Sequence, residues 1–355
     1  MCIRDSYYRG PTEAVVPQEN MLTAERTVLY INQVQRDIPG PNIIDYFQTR
    51  REPEYTVHLN GIDYAWVYPG PVAGLNVSAK PQVSVTGQYD DTIQLLGYSL
   101  KPEPVTGGQP VVVTLFWQVL TPPDAERFVF LRLVDEQGRI WAGVDGPPVM
   151  GLWPVDRWQP GMFLEDAHSL TIPAGTPPDV YRLEVGLYEP GSGQPLPATG
   201  QSQGPGGGLI LGDVPVEWRT VTKPDSYPAG RTEAQLAPHV SLLGFTPPPS
   251  VVRTGERLRL DMLWQESGAW WHWEDPQEPS IQFSWFRNDQ FISDQLDPLP
   301  LPVGQWGKGG LLRSQHDIIV PPNLESERYQ LRGALHTGVG AAGDAVVLAL
   351  SLIHI

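Results

Sequence analysis

Acidic residues stand side by side at three places in the chain and are the first candidates for acid–base chemistry. The pairs are Asp90-Asp91, Glu165-Asp166 and Glu274-Asp275. Hydrolysis of a glycosidic bond needs two carboxyl groups that face one sugar. Neighbouring residues on a strand point to opposite faces of the sheet, so an adjacent pair does not supply that geometry. We interpret the pairs as surface or turn acids, with calcium binding as an alternative that no Asp-x-Asp-x-Asp-Gly loop supports.

Two histidines, His168 and His316, recur at matching positions of an internal repeat that is described below. A histidine can serve as a general base, a metal ligand or a structural hydrogen-bonding residue. Neither has a second histidine or a cysteine near it in the sequence, which disfavours a metal site. The only cysteine is Cys2, so a disulfide framework and a cysteine metal site are excluded. We expect both histidines to be structural, and we expect no bound metal and no cofactor.

Tryptophans are the remaining residues that could contact a ligand. Trp117 and Trp264 recur on apolar strands and are predicted to lie in the core, whereas Trp158 and Trp306 are predicted to pack against a strand end. Exposed aromatic rings stack on the apolar faces of sugars. The candidate carbohydrate contacts belong to one copy of the repeat only and lie in or near loops: Trp141, Trp153, Trp270, Trp271 and Trp273. Burial beneath long loops is the alternative for these side chains.

Two further motifs lack features that their chemistry requires. Residues 204–208 are rich in glycine but lack a Gly-Lys-Ser/Thr ending and a following helix, so a loop is predicted there and not a phosphate site. No Gly-x-Ser-x-Gly segment has the form that an esterase nucleophile requires. The sequence therefore predicts no catalytic residue.

The composition and charge limit the fold class and the partners. The 36 glycines and 38 prolines interrupt every apolar run within about ten residues, which favours short strands joined by turns. A formal net charge of −16 repels phosphate backbones, so we expect no nucleic-acid partner. No apolar stretch approaches the roughly 20 residues of a membrane span, and the N-terminus lacks the layout of a signal peptide.

An internal repeat organises most of the chain. Residues 95–98 (Leu-Leu-Gly-Tyr) recur as 242–245 (Leu-Leu-Gly-Phe), and 115–118 recur as 262–265, both at an offset of 147. Further along, tryptophan, histidine and tyrosine residues recur at an offset of 148: Trp158 and Trp306, His168 and His316, Tyr181 and Tyr329. The repeat predicts two modules, 86–219 and 237–349, with linkers over 73–85 and 220–236.

Short apolar segments within the first module predict its strands. They cover 93–99, 111–120, 128–134, 139–144, 163–172, 180–188 and 209–218. Several alternate with a period of two, and residues 135–138 and 190–193 are hairpin-type connections. We predict a mainly β fold with two tandem antiparallel β-sandwiches, immunoglobulin-like or jelly-roll-like, of seven or eight strands each.

Residues 7–72 lie outside the repeat and combine strand patterns with a helix pattern. They predict the C-terminal part of an α/β or α+β domain. A strand is expected over 27–31, a short helix over 41–48, and a hairpin of 55–59 and 64–68 about Asn60-Gly61.

A family resemblance rests on this segment and on the strands that follow it. Residues 28–36, 53–55 and 59–68, followed by Leu-Leu-Gly-Tyr at 95–98 and Tyr-Arg-Leu-Glu-Val-Gly-Leu-Tyr at 181–188, resemble the extracytoplasmic end of bacterial membrane glycosyltransferases of the protein-mannosyltransferase-like type. The resemblance implies a parent enzyme that uses a lipid-phosphate-linked sugar donor and carries its catalytic carboxylates in a membrane domain upstream. It assigns no catalytic residue to this chain.

Both ends of the chain have an unusual relationship at the level of DNA. The string ATGTGTATAAGAGACAG, with one further base, encodes residues 1–6, and its reverse complement encodes residues 350–354 and begins the codon of Ile355. This inverted element resembles a transposon-end adapter used in preparing sequencing libraries. We therefore interpret 1–6 and 350–355 as translated adapter, and we expect the second module to lose part of its last strand.

Three functions follow from these observations. The first is a non-catalytic extracytoplasmic region of a membrane glycosyltransferase, acting as a spacer, acceptor-positioning or interaction module. The alternative is a stand-alone carbohydrate-binding or adhesion protein, whose partner is a glycan or a cell-envelope polymer. A glycoside hydrolase fragment is the third, and it needs two converging carboxyl groups that the sequence does not show.

Overall fold

The computed structural model describes residues 26–30, 52–59, 61–69, 80–151, 155, 158–237, 239–266, 279–322, 324–337, 340–341 and 346–354. Strands dominate these residues, and no α-helix occurs among them. The mainly β fold predicted from turn-rich composition and short apolar segments is therefore confirmed.

A three-stranded antiparallel sheet comes first in the chain. Its middle strand, β3 (Ile62–Pro69), pairs with β1 (Arg26–Tyr30) on one side and with β2 (Tyr55–Leu59) on the other. Gly61 has a φ of +76° in the turn between β2 and β3, as expected of an Asn-Gly hairpin. The predicted strand and hairpin are confirmed, and the predicted helix over 41–48 lies outside the described residues.

Ten strands form the first sandwich, and not the seven or eight predicted. They are β4 (Val83–Tyr89), β5 (Ile93–Lys101), β6 (Val105–Thr106), β7 (Gln109–Val119), β8 (Phe128–Val134), β9 (Ile140–Gly146), β10 (Phe163–Ile172), β11 (Asp179–Tyr188), β12 (Ala198–Thr199) and β13 (Leu209–Glu217). The number is larger because the polar strand β4 and the two-residue strands β6 and β12 have no apolar pattern of their own. One sheet has the order β10-β7-β5-β4-β12 and the other β6-β13-β11-β8-β9. A 3-10 turn, Pro148–Gly151, follows β9.

Another ten strands form the second sandwich. They are β14 (Gly230–Ala237), β15 (Val240–Phe245), β16 (Val251–Arg253), β17 (Arg257–Glu266), β18 (Ser280–Arg287), β19 (Gln290–Pro298), β20 (Leu311–Ile319), β21 (Arg328–Thr337), β22 (Gly340–Ala341) and β23 (Val346–His354). The sheet orders are β14-β15-β17-β20 and β16-β23-β21-β18-β19, and β22 pairs with β21. A 3-10 turn, Val303–Gln305, precedes β20.

The two sandwiches share one topology. Matching β4–β11 in order with β14–β21, and β13 with β23, makes the sheet orders of the two sandwiches agree apart from the short strands β12 and β22. Even the parallel pairing of β6 with β13 recurs between β16 and β23. The repeat found in the sequence is therefore a repeat of topology.

Strand order and a tyrosine contact favour the immunoglobulin-like alternative over the jelly roll. β11 lies between β13 and β8, and β7 lies between β10 and β5, as strands F and B do in immunoglobulin-like sandwiches. At the start of β11 the Tyr181 hydroxyl donates to the Pro177 carbonyl over 2.9 Å, and Tyr329 donates to the Glu325 carbonyl over 3.3 Å. This upstream hydrogen bond is the tyrosine corner of such folds.

The repeated Leu-Leu-Gly motif marks a β-bulge in each sandwich. The pairing of β5 with β7 shifts register between Leu95 and Gly97, and the pairing of β15 with β17 shifts between Leu242 and Gly244. A β-carbon at Gly97 would overlap the Val83 carbonyl of the neighbouring strand β4. Glycine is required there because the extra residue brings two backbones together.

The chain divides into two compact units. The first comprises residues 1–103, 110–171 and 182–214, and the second comprises 104–109, 172–181 and 215–355. Within the second unit, Arg313 of β20 donates to the Ala174 carbonyl over 3.0 Å and to the Ser226 carbonyl over 2.6 Å. Ala174, Leu263 and Leu311 form a small apolar cluster beside these bonds. Part of the segment predicted as linker is thus packed into the second unit.

Strand boundaries differ from the sequence prediction at three places. Strands β4 and β14 begin at Val83 and Gly230, inside the segments predicted as linkers. Both are largely polar strands at or near a sheet edge, so the apolar pattern did not reveal them. Strand β23 continues to His354, with Leu352 paired to Arg328, so it includes residues of the segment 350–355 that we interpret as translated adapter.

Candidate functional site: two buried tryptophan–histidine networks

The recurring tryptophan and histidine of the first sandwich meet at one buried carboxylate. The Trp117 indole nitrogen on β7 donates to Oδ2 of Asp166 over 3.1 Å, and Nε2 of His168 lies 2.8 Å from the same oxygen. The backbone N–H of Val149 donates to Oδ1 over 2.7 Å. Asp166 is fully buried, so its charge is compensated entirely by protein groups.

These partners decide the protonation of Asp166. Burial alone would raise the pKa of its carboxyl. The charge of His168 and the hydrogen bonds from His168, the Val149 amide and Trp117 outweigh burial, and the pKa of Asp166 lies below its usual value. The carboxylate is therefore an ionised acceptor and not a proton donor for a reaction.

The second sandwich keeps the tryptophan and the histidine but exchanges the residue between them. Ser314 stands at the position of Asp166, 148 residues further on. The Trp264 indole donates to Ser314 Oγ over 2.8 Å, and Nε2 of His316 lies 2.7 Å from the same oxygen. The second network also contains an aspartate, but this residue comes from the opposite sheet. Oδ2 of Asp297 on β19 lies 2.8 Å from Nδ1 of His316.

The chain Asp297, His316, Ser314 has the order and contact atoms of a serine hydrolase triad. Its surroundings do not suit that chemistry. Ser314 and His316 are each 1% exposed, and the Trp264 N–H already occupies the serine oxygen. A nucleophile must reach a carbonyl carbon of the substrate, which a hydroxyl enclosed in the core cannot do. We therefore interpret the network as part of the core. The equivalent network of the first sandwich, which has an aspartate in the position of the serine, is also part of its core.

The expectation that both histidines are hydrogen-bonded is confirmed. His168 and His316 follow Asp166 and Ser314 by two residues, so each pair lies on one face of its strand. This spacing of two is the signal in the sequence that could have identified the partners on the strand. Nothing in the sequence indicated Asp297, which lies on a strand of the opposite sheet.

The prediction of surface or turn acids is confirmed for Asp90-Asp91 but is wrong for Asp166, whose carboxylate is fully buried and hydrogen-bonded within the core. Asp90 has a φ of +46° in the turn after β4, and Asp91 accepts a hydrogen bond from Gln88 over 3.2 Å. On β10, Asp166 is buried whereas Glu165 is half-buried. Glu274-Asp275 lies outside the described residues.

Trp141 is the only carbohydrate candidate whose placement the structure describes. The residue is 8% exposed, and its indole N–H donates to Oδ2 of Asp135 over 2.9 Å. Arg139 also donates to this carboxylate over 2.6 Å, which completes a network at the β8–β9 hairpin. Trp141 is therefore buried, which was the alternative to a carbohydrate contact. A buried ring cannot stack on a sugar. The other candidates lie outside the described residues: Trp153, Trp270, Trp271 and Trp273.

The glycine-rich loop encloses a carboxylate that the sequence did not single out. The backbone N–H groups of Gly206 and Gly208 donate to Oε1 of the fully buried Glu184 over 2.8 and 2.9 Å. A β-carbon at Gly204 would overlap the Glu184 carboxyl group. The glycines let the backbone approach an acid of the protein itself, so the prediction of a loop that binds no phosphate has a structural reason.

Within the described residues, no cluster of three or more His, Cys, Asp or Glu side chains could hold a metal ion. The part of the chain that the structure describes also contains no helix long and apolar enough to cross a membrane. Comparison with protein-family models gives no match, and comparison with curated protein sequences gives none. Fold and buried networks together define a protein region of two immunoglobulin-like β-sandwiches.

Proposed function

We propose that this chain is a non-catalytic extracytoplasmic region of a bacterial membrane glycosyltransferase that uses a lipid-phosphate-linked sugar donor. The two sandwiches serve as spacer, acceptor-positioning or interaction modules beside a membrane domain encoded upstream. One observation carries the non-catalytic part. The reactive side chains that recur in both sandwiches, a histidine with a tryptophan and a short polar residue, are enclosed in the core by each other's hydrogen bonds.

The glycosyltransferase part rests on the resemblance of residues 28–68 and on their order before the sandwiches. Strand β1 and the β2–β3 hairpin form a three-stranded sheet that precedes the sandwiches in the chain.

The decisive experiment is recovery of the genomic DNA that precedes the codon of residue 7. The proposal expects an open reading frame that continues upstream into several apolar segments of about 20 residues each. A gene that encodes no such multi-span domain before residue 7 would refute the glycosyltransferase assignment. The non-catalytic assignment is tested separately, by the effect of Ser314→Ala on ester hydrolysis and on stability.

A further inference from the structure

An exposed apolar strip lies on the outer face of the second sandwich, along its edge strand β19. We call Phe291, Asp294 and Leu296 the β19 strip. Phe291 is 59% exposed and Leu296 is 55% exposed. In the pairing with β18 they stand opposite Phe286, Ser284 and Gln282, respectively, so the three side chains share one face of the sheet. Two apolar side chains with an acid between them thus project from one strand.

The aromatic end of the strip is held by neighbouring side chains. The rings of Phe291 and Phe286 meet edge to face with centroids 6.0 Å apart. The Arg332 guanidinium lies 4.2 Å from the centroid of the Phe286 ring and forms an ion pair with Asp289. Arg332 therefore covers Phe286, and Phe291 remains the aromatic ring that is open to solvent.

We propose that the β19 strip binds a linear, neutral glycan, an inference that goes beyond the supporting role proposed above. Sugar rings have an apolar face of C–H groups and a rim of hydroxyls. The Phe291 ring and Leu296 match the apolar face. The carboxylate of Asp294 accepts one hydrogen bond from Gln282 and has further lone pairs that can accept from sugar hydroxyls. From strand rise, Phe291 and Leu296 lie about 16 Å apart at most, which accommodates several sugar rings.

Charge selects the neutral class of glycan. The carboxylate of Asp294 lies within the strip, that of Asp289 beside it is paired with Arg332, and the whole chain has a net charge of −16. A uronic-acid or phosphate polymer would place further negative charge against these carboxylates. Binding of an anionic polymer is therefore disfavoured at this face.

The first sandwich provides an internal comparison, because its equivalent strand β9 offers no aromatic ring on this face. The exposed residues at the corresponding positions are Ile140, Gly143 and Asp145. Glu184 occupies the position of Arg332, 148 residues earlier, and residues 206 and 208 donate hydrogen bonds to it from the glycine-rich loop. The loop also brings Pro205 against Gly138 at the β8–β9 hairpin. Only the second sandwich is expected to bind.

Calorimetric titration of the full chain tests the proposal with hexasaccharides of glucose, mannose and N-acetylglucosamine, and with hexagalacturonate as the anionic probe. We expect at least one neutral hexasaccharide to bind, and Phe291→Ala to weaken it about tenfold, as the loss of one stacked ring implies. Phe163→Ala removes an exposed phenylalanine of the first sandwich and is expected to leave affinity unchanged. Circular dichroism and unchanged melting confirm that both variants fold.

Several outcomes would overturn the proposal. They are absence of binding to all three neutral hexasaccharides, tighter binding of hexagalacturonate, or equal affinities of wild type and Phe291→Ala. Loss of binding in Trp270→Ala alone would assign the glycan to the tryptophan candidates instead. Sedimentation that shows a dimer dissociated by Phe291→Ala, without glycan binding, would assign the strip to a second copy of this chain.

Discussion

Trp117 donates its indole N–H to Asp166 Oδ2 over 3.1 Å inside the first sandwich. This hydrogen bond is the first of two equivalent bonds in the repeat. Trp264 makes the equivalent bond to Ser314 in the second sandwich. The acceptor differs between the copies, but the tryptophan donor and the histidine that follows the acceptor by two residues are retained. A shared hydrogen-bonding scheme with exchanged acceptors is typical of a core and not of a reaction centre.

Removal of the Asp166 charge is expected to destabilise the first sandwich. Asp166→Asn loses the ion pair with His168 and one of the acceptor oxygens within the buried network, which costs about 3 kcal/mol of unfolding free energy. Urea denaturation followed by fluorescence measures this loss. Asp145→Asn, which alters an exposed ion pair with Arg132, should change the unfolding free energy by less than about 1 kcal/mol. Equal effects of the two substitutions would contradict the buried network.

Acid should weaken the same network in a defined direction. The pKa of Asp166 in the folded state lies below its usual value, because the partners outweigh burial. A depressed folded pKa stabilises the protein above the unfolded pKa of about 3.9, and this contribution is lost as pH falls through the folded pKa. The difference in unfolding free energy between wild type and Asp166→Asn should therefore be present at about pH 5 and shrink as the pH falls below about 3.9. A difference that grows on acidification would have the wrong sign.

Asp261 on β17 should behave in the opposite way. Burial raises the pKa of its carboxyl, and the hydrogen bond from Thr246 and the charges of Arg259, Arg313 and His316 do not fully offset burial. A raised folded pKa means that ionisation opposes folding, so this cost is present at neutral pH and disappears below the unfolded pKa of about 3.9. Asp261→Asn is expected to raise the melting temperature at pH 7 and to have little effect at pH 3. A lower melting temperature at pH 7 would contradict this interpretation.

The glycine-rich loop predicts a sharp contrast between two glycines. A β-carbon at Gly208 would overlap the Val185 carbonyl, and the Gly208 N–H donates to Glu184, so Gly208→Ala should cost about 1–3 kcal/mol. No atom lies within 4 Å of a β-carbon added at Gly191, so Gly191→Ala should be nearly neutral. Thermal unfolding of both variants measures the difference. If Gly208→Ala were as stable as Gly191→Ala, the close approach of Gly208 to the Val185 carbonyl would be contradicted.

Much of the first sandwich could be predicted because its strands are apolar and bounded by turns. The predicted segment 128–134 coincides with β8, and 163–172 coincides with β10. Strand β14 escaped prediction because polar residues alternate along it at a sheet edge. In addition, the repeat predicted that the two modules have the same fold. The matching strand orders and the matching β-bulges confirm this prediction.

Side-chain partners were harder to predict, since they depend on which strands lie opposite each other. Asp297 meets His316 from a strand of the other sheet, and Glu184 meets backbone N–H groups more than 20 residues away. Trp141 lay close to a turn in the sequence, and only the folded hairpin brings Asp135 to its indole. The local sequence pattern predicts which face of the sheet a side chain occupies. It does not predict which residue of another strand contacts that side chain.

The most direct test of the account compares ester hydrolysis and stability in Ser314→Ala. If the Asp297, His316 and Ser314 chain is part of the core, the wild-type protein will not accelerate p-nitrophenyl acetate hydrolysis in a way that depends on Ser314. Ser314→Ala will lower the unfolding free energy by about 1–3 kcal/mol, because the Trp264 N–H loses its buried acceptor. Ser241→Ala, on the half-buried face of β15, serves as the control and should change neither quantity. The contrary result is ester hydrolysis that Ser314→Ala abolishes while the unfolding free energy stays unchanged. That result would show that Ser314 belongs to a reaction centre and not to the core.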